Sequence, residues 1–503
     1  MEPRSAKGVS RDSTSRKEFS WIEGLAICLG MIGVQLTSEV IAGWGNFFYT
    51  PPEGTGRIVF VTAGMAAIIF AAGRLFDTVT DPLIGMWSDR VRTQPGKRRF
   101  LRIAGRRRPF MFWGSVLMTI TGIAFWYPPV PGTSWANCAY GTLIVCLHWG
   151  LFTICVVPLK SLEPEIARSQ QARVRLGIWV GVGMITGLAA SQILPGIVID
   201  ALDPVEAGEG QHSPQAFQRA AMLFAFAALV LLQLPVWLVR ERYETPQEKP
   251  PRVQLLGQLA GAFWNRPFFC YFMTFFSFSI GVLAVQRVVG HWAVLGLGGD
   301  EGYVSLLMAP FILTAYCSLA LVPLITRRLE IKWLMCLCPI IYATGLPMMY
   351  VIARAEIDPS VIPAWLMDPW MSLLGTDDPV SATRALMGAG LFAYCGIAQG
   401  VFYAILTPLM GQIIDFDARR TGKRREALYS GLHGVAFKGS QTLSIVVANL
   451  SMAYWGKSVA SPWGVYYVGL IAGVFGLVGL AFALAYPILP GGSEGNHAAE
   501  PTP

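Results

Sequence analysis

The sequence predicts an all-α membrane protein: twelve transmembrane helices arranged as two six-helix bundles. Three observations carry that prediction. The 503 residues are 53% hydrophobic and only 14% charged, whereas soluble domains are about a quarter charged. Apolar runs recur from Trp21 to Pro487, each long enough to cross a hydrocarbon core of roughly 30 Å as a helix. The basic residues are distributed with the asymmetry of a membrane topology.

Hydropathy read against Gly, Pro and charge breaks places the spans near 22–49, 57–87, 108–128, 138–164, 174–200, 216–239, 264–296, 302–326, 333–353, 384–414, 429–455 and 463–488. With the N-terminus cytoplasmic, only Arg57, Arg219, Arg354, Arg384 and Lys457 of the 39 Lys and Arg fall outside. Arg74, Lys160, Arg287 and Lys438 lie within spans, and the remainder are cytoplasmic. This is the positive-inside pattern, and moving the topology by one span reverses it. The net charge of +8 therefore marks orientation in a membrane rather than a nucleic-acid partner.

Residues 1–20 read as a basic cytoplasmic tail, and the apolar run that follows is too long for a signal-peptide core, so it is an uncleaved first span. Residues 21–240 form the first bundle, 241–262 a cytoplasmic linker rich in Pro, Glu and Lys, 263–489 the second bundle, and 490–503 a disordered cytoplasmic tail. The nine Cys lie in or at the ends of apolar spans without metal-type spacing and read as small buried hydrophobes. External segments near 200–216 and 354–384 read as surface caps. DRVRTQPGKRR (89–99) and DARRTGKRR (417–425) are alike but occupy unmatched loops; pairing the loop after span 2 with ITRRLEIK after span 8 suits a parallel duplication better.

Ionisable groups at membrane depth cost about 2.5–3.5 kcal/mol each on insertion scales, so each needs a partner, a wet cavity or a function. Span 2 holds three in GRLFDTVTDPLIG (73–85). Arg74, Asp77 and Asp81 fall at i, i+3 and i+7 on one helical face, with the two acids one turn apart. Two carboxylates that close favour a cation between them or a proton on one. Pro82 removes the N–H partner of the Thr78 carbonyl, and the Thr78 and Thr80 hydroxyls offer further oxygens. The plainer reading is that Arg74 neutralises one acid while the other faces water.

Elsewhere, Lys160 and Glu163 are placed for a local i, i+3 pair. Lys438 has no partner within its span and could reach Asp77 or Asp81 across the bundles as a charge switch. Glu39 is a further buried acid, and Arg287 is either a substrate ligand or a snorkelling residue. His148, His291 and His433 read as helix-packing hydrogen-bond partners. Trp44, Tyr49, Trp149 and Trp179 are the aromatics that could stack on a sugar; the others suit interface anchors.

RLFDTVTDPLIGMWSDRVRTQPGKRR, followed by RRRPFMFWG, VPLKSLEPEIA (157–167), DFDARRTGKRREALYSG (415–431) and GVAFKGSQ (434–441), resembles in order the landmarks of the glycoside-pentoside-hexuronide cation symporters. That melibiose permease-like family is a branch of the major facilitator superfamily. The resemblance implies two bundles working by alternating access around a central cavity, with a cation site at Asp77 and Asp81. It also implies that Thr153 joins that site and that Lys438 is the family's span 11 lysine. At positions where melibiose-type members bind sugar, this chain has Gln35, Val156, Lys160 and Val180 in place of two acids, a tryptophan and an arginine. A slip of one turn would substitute Glu39 for the first acid. The ion half matches and the galactoside half does not, and Lys160 with Arg287 suits a substrate bearing an anionic group, such as a hexuronide.

The expected function is cation symport, with sodium or a proton on Asp77 and Asp81 (sodium as the bound metal, if it is the ion), Thr78 and Thr153 completing that site. Gln35, Glu39, Lys160, Trp179, Arg287 and Lys438 would contact substrate, and Arg74, Pro82, Asp89, Arg90, Asp415 and Asp417 would serve coupling or gating. Partners are a small-molecule substrate, the coupling cation and the lipid bilayer, with no resident cofactor, no enzymatic role and a monomeric state, in the plasma membrane (an inner membrane, if Gram-negative) with both termini cytoplasmic. Alternatives are a lysolipid transporter of the same fold, a scaffold or sensor, and an intramembrane prenyltransferase using DTVTD and DFD for magnesium.

Overall fold

A computed structural model describes residues 19–90, 105, 107–167, 170–203, 213–241, 263–300, 302–326, 328–356, 358–422 and 426–488. Twelve long helices cross the described chain: α1 Trp21–Tyr49, α2 Ala63–Arg90, α3 Arg108–Ala124, α4 Trp135–Ile166, α5 Gln170–Ala201 and α6 Pro214–Leu238, then α7 Arg266–Leu295, α8 Gly302–Ile325, α9 Ile331–Arg354, α10 Pro379–Thr421, α11 Glu426–Trp455 and α12 Trp463–Ala485. Ten of these are long and apolar enough to span a membrane by length and composition. The 17-residue α3 and the polar-studded α11 complete the set. Most of the tail, linker and basic loops read from the sequence lies outside the described residues.

The helix ends follow local chemistry. Ser20 begins α1 with a capping box: its hydroxyl accepts from the Glu23 N–H at 3.2 Å, and Glu23 accepts from the Ser20 N–H at 2.8 Å. Asp378 caps α10 through the N–H groups of Val380 and Ser381. With 43 residues, α10 is roughly 65 Å long at 1.5 Å per residue, about twice a hydrocarbon core of roughly 30 Å, and Asp415 and Asp417 lie in its last two turns. Two interruptions were not visible in hydropathy. In α1 a π-helical segment, Val40–Trp44, follows Glu39 directly, and such bulges redirect side chains at functional positions. In α9 the helix breaks between Gly345 and Met348, at Pro347. The external segment 354–384 contains a short helix, Ala364–Leu374, held to α10 by the Trp370 indole donating to the Ala382 carbonyl.

Helix pairing shows the duplication. In the first half α1 packs on α5 and α6, α2 on α4, and α3 on α4 and α6; in the second α7 packs on α11 and α12, α8 on α10, and α9 on α10 and α12. Adding six to each number in the first set gives the second. The halves meet through α2 against α11 and α5 against α8, a pairing that exchanges onto itself under the same operation. Glycines permit the closest crossings: a Cβ at Gly400 of α10 would lie 2.0 Å from the Ala315 carbonyl of α8, and one at Gly183 of α5 2.3 Å from the Cys28 carbonyl of α1. Small residues at such contacts let backbones approach where lipid provides no hydrophobic drive.

The end of the molecule that carries the α1–α2 and α11–α12 loops, read from the sequence as the outer end, is closed between the halves. The His291 ring of α7 is 2.6 Å from the Thr50 carbonyl, and Ser305 of α8 donates to the Ile193 carbonyl of α5 at 2.6 Å. Lys457, between α11 and α12, donates to the Pro51 carbonyl at 2.9 Å and pairs with Glu53 at 3.7 Å. Backbone bonds from the Glu53 N–H to the Lys457 carbonyl and from the Val459 N–H to the Glu53 carbonyl stitch the same loops. Lys457 was expected to be an ordinary external lysine; it is 4% exposed.

Candidate cation site and charged interface

Asp77 and Asp81 project from α2 toward α4 on one side and α11 on the other. Thr153 of α4 places its Oγ1 2.9 Å from Asp77 Oδ1 and 3.0 Å from Asp81 Oδ1. The second carboxylate oxygens face α11, where Lys438 Nζ is 3.0 Å from Asp77 Oδ2 and also bonds Asp81 Oδ2. Asp77 is sealed, with its side chain 4% exposed, whereas Asp81 is 36% exposed. The trio of two carboxylates and one ammonium carries a net charge of −1.

The Thr153 hydroxyl makes that deficit visible. It has one proton but three acceptors, because the Trp149 carbonyl is also 3.1 Å away. One short contact can be a hydrogen bond donated by the hydroxyl. A carboxylate left without that proton is satisfied when it is itself protonated and donates to Thr153 Oγ1, or when a cation shares the oxygens. Asp77 Oδ1, Asp81 Oδ1 and Thr153 Oγ1 are three hard oxygen donors, a set suited to a small monovalent cation.

Thr78 turns away from this cluster. Its side chain is exposed and its hydroxyl donates to the Arg74 carbonyl at 2.9 Å, as expected 100° around the helix from Asp77. Thr80 likewise donates to the Asp77 carbonyl. Asp89 and Arg90 occupy the last turn of α2, and their side chains, with that of Pro82, lie outside the described residues. Asp415 is exposed and Asp417 buried on α10.

A second charged group lies next to the first, toward the end of the molecule that Lys457 closes. Arg74, 5% exposed, is not an ion-pair partner of Asp77 within hydrogen-bonding range; its guanidinium sits 3.7 Å above the Trp149 ring. Its strongest charged neighbours are Arg287, then Glu39, then Asp77. Arg287 of α7 is 1% exposed, which rules out the snorkelling reading. Its Nη1 lies 3.9 Å from Glu39 Oε2, while Asn46 donates to its backbone carbonyl at 3.2 Å. On α10, Gln399 accepts from Tyr342 at 2.7 Å, and Tyr403 lies within electrostatic range of Glu39. Gln399 and Tyr403 also line a shallow, mostly apolar pocket with Tyr316 of α8 and Leu188 of α5. Sequence reading missed Gln399, Tyr316 and Tyr403, since polar residues on an apolar span carry no ionisable flag.

The remaining expected contacts fall elsewhere. Gln35 sits at the α1–α5 crossing beside Gly187. Val156 belongs to an apolar cluster against which Trp179 and Val180 also pack. Trp179 covers Gly24, some 15 residues and roughly 22 Å along α1 from Glu39. Lys160 is exposed, with Glu163 as its charged neighbour. Trp44, Tyr49 and Trp149 are all under 5% exposed, packed as core rather than presented as stacking platforms. The three histidines bond as packing partners: His148 with Thr121, His291 with the Thr50 carbonyl and His433 with Tyr271.

Residues 26–488 match the family described as MFS/sugar transport protein. An uncharacterised symporter of Synechocystis is 22% identical, with 95% of this chain aligned to 96% of that protein. A putative glycoside/cation symporter, YagG, of Escherichia coli is 25% identical over 39% of this chain and 38% of its own length. Among solved structures, the nucleoside transporter NupG superposes with a TM-score of 0.62 over 93% of this chain and all of the other, at 9% identity; that likeness speaks to the fold.

Proposed function

Since the chain belongs to the MFS/sugar transport protein family, and is therefore a multi-pass transporter of the melibiose permease-like symporter group, we propose that it carries a sugar, glycoside or hexuronide by symport with sodium or a proton bound at Asp77, Asp81 and Thr153. The observation that supports this most is the Thr153 hydroxyl among three acceptors, beside a carboxylate pair whose charge Lys438 only half balances.

Binding of one cation brings the trio to neutrality. That removes the mutual repulsion of two carboxylates in a low-dielectric site and weakens the hold of Asp77 and Asp81 on Lys438. Because Lys438 belongs to the second half and the acids to the first, ion occupancy alters the energy of the joint between the halves. A cation and a substrate that each favour the same arrangement are coupled thermodynamically, and the coupling is reciprocal. The inward and outward openings alternate as the two halves rock, with both termini in the cytoplasm and the protein in the plasma membrane.

The test is uptake into proteoliposomes of a panel of sugars, glycosides and hexuronides, with and without imposed sodium and proton gradients. Asp77→Asn makes the trio neutral without a cation. It is expected to fold and bind substrate while losing all dependence on the cation. Cation-dependent uptake that survives in Asp77→Asn would sink the site assignment.

A further inference from the structure

Building on the symport reading, we propose that Arg287 and Arg74 form an anion subsite beside the cation site, and that it holds a carboxylate of the transported molecule. Arg287 is 1% exposed, and none of its three guanidinium nitrogens has a hydrogen-bond partner. Arg74 is 5% exposed with its Nη2 also unpartnered. Buried guanidinium nitrogens are rarely left without acceptors, because stripping them of water is costly. Here α2 and α7 each bury such a group, and both guanidinium ions lie in the field of the same carboxylate, Glu39.

The nearest carboxylate does not satisfy them. Glu39 Oε2 stands 3.9 Å from Arg287 Nη1, beyond hydrogen-bonding length, and one carboxylate cannot balance two guanidinium ions. The group of Glu39, Arg74 and Arg287 carries a net charge of +1, while the adjoining group of Asp77, Asp81 and Lys438 carries −1. The interface column is neutral as a whole but divided, so that one part lacks an anion and the other a cation. A guanidinium's planar fork matches a carboxylate, and Gln399 and Tyr403 of α10, the latter within electrostatic range of Glu39, are polar groups that can meet the hydroxyls of a sugar. Val156 and Val180, in the apolar cluster, provide no such group.

The experiment measures binding to the purified full chain by thermal stabilisation and calorimetry. The probes are glucuronate, galacturonate and their methyl glycosides, each against its neutral parent sugar, in sodium chloride and in chloride-free sodium sulfate. At least one acid is expected to bind tenfold or more tightly than its parent. Arg287→Gln and Arg74→Gln each bring the outer group to zero charge and should each abolish that preference, so either variant decides if the other fails to fold; Arg287→Lys should retain part of it. Equal binding of acid and parent in the unaltered protein, or a preference that persists in both variants, overturns the proposal. Stabilisation by chloride alone through Arg287, with no preference for the acids, marks an inorganic-anion site and also overturns it. Cation dependence of binding in the unaltered protein separates the two readings: if the acid preference stands with no cation dependence, symport fails and the subsite survives, and cation dependence without an acid preference removes only the subsite.

Discussion

Lys438 Nζ lies 3.0 Å from Asp77 Oδ2, a contact that joins α11 of the second half to α2 of the first. The same ammonium bonds Asp81, so the two carboxylates share one protein cation and have room for a second. Lys438 is thus both a tie between the halves and a competitor of the coupling ion.

Lys438→Gln separates those roles. Without the ammonium, the carboxylate pair is left at −2, and a charge within 4–6 Å is worth about 1–3 log units of affinity. Cation binding should tighten by about tenfold or more, read as a lower cation concentration for half-maximal thermal stabilisation. Transport should slow, because the loaded ion no longer displaces a tie between the halves. Weaker cation binding in this variant would mean that Lys438 positions the acids rather than competing for them.

Thr153 offers a sharper probe of the oxygen set. Thr153→Val keeps the volume and removes the hydroxyl that contacts Asp77, Asp81 and the Trp149 carbonyl. A hydrogen bond to a charged group contributes roughly 1.5–3 kcal/mol, so cation affinity should fall by about tenfold or more. Thr153→Ser should restore most of it. An unchanged cation titration in the valine variant would remove Thr153 from the site.

How much of this was legible follows from what periodicity encodes. The i, i+4 relation of Asp77 and Asp81 is a property of one helix, and the lack of a local partner for Lys438 pointed across the halves. The family landmarks brought in Thr153. The neighbours of Arg287 and Arg74 were not readable, because pattern fixes which residues share a face but not which helix that face meets. For Trp149 the aromatic signal was present, yet the ring stacks on Arg74. The π-helical turn after Glu39 leaves the apolar pattern of span 1 unbroken and so has no composition signature. Thr78 failed for the opposite reason: adjacent in sequence to Asp77, it points elsewhere around the helix.

The α8–α10 crossing makes a prediction about the scaffold. A Cβ on Gly400 would stand 2.0 Å from the Ala315 carbonyl and 2.1 Å from Ser318 Oγ, and backbone cannot yield as a flexible side chain does. Gly400→Val should destabilise by about 1–3 kcal/mol or more, the range of overpacking. Gly390, on the same helix with open space around it, should tolerate Ala with unchanged or slightly raised stability. Thermal unfolding of both variants in one detergent checks the pair, and equal midpoints would show that the crossing relaxes freely.

The outer joint should respond to pH through Lys457. Burial lowers its pKa from the ordinary 10.5 to about 8, with Glu53 only partly opposing the shift; His291, in the same closure, feels the lysine's charge. Between pH 8 and 10.5 the unfolded or opened chain binds more protons at this site than the closed form, so stability of the closed form rises with pH in that window. Below pH 8 both states carry the charge and the burial cost is present in full. The whole shift amounts to ~3 kcal/mol at most, at 1.36 kcal/mol per pKa unit. Lys457→Met removes the titrating group. The thermal midpoint of the unaltered protein, measured relative to that of Lys457→Met, should therefore rise steadily as pH rises from 8 to 10.5, with other titrating groups cancelling in the comparison. Parallel pH profiles would mean that Lys457 is solvated in the closed state, and that the Pro51 and Glu53 contacts do not hold the outer end shut.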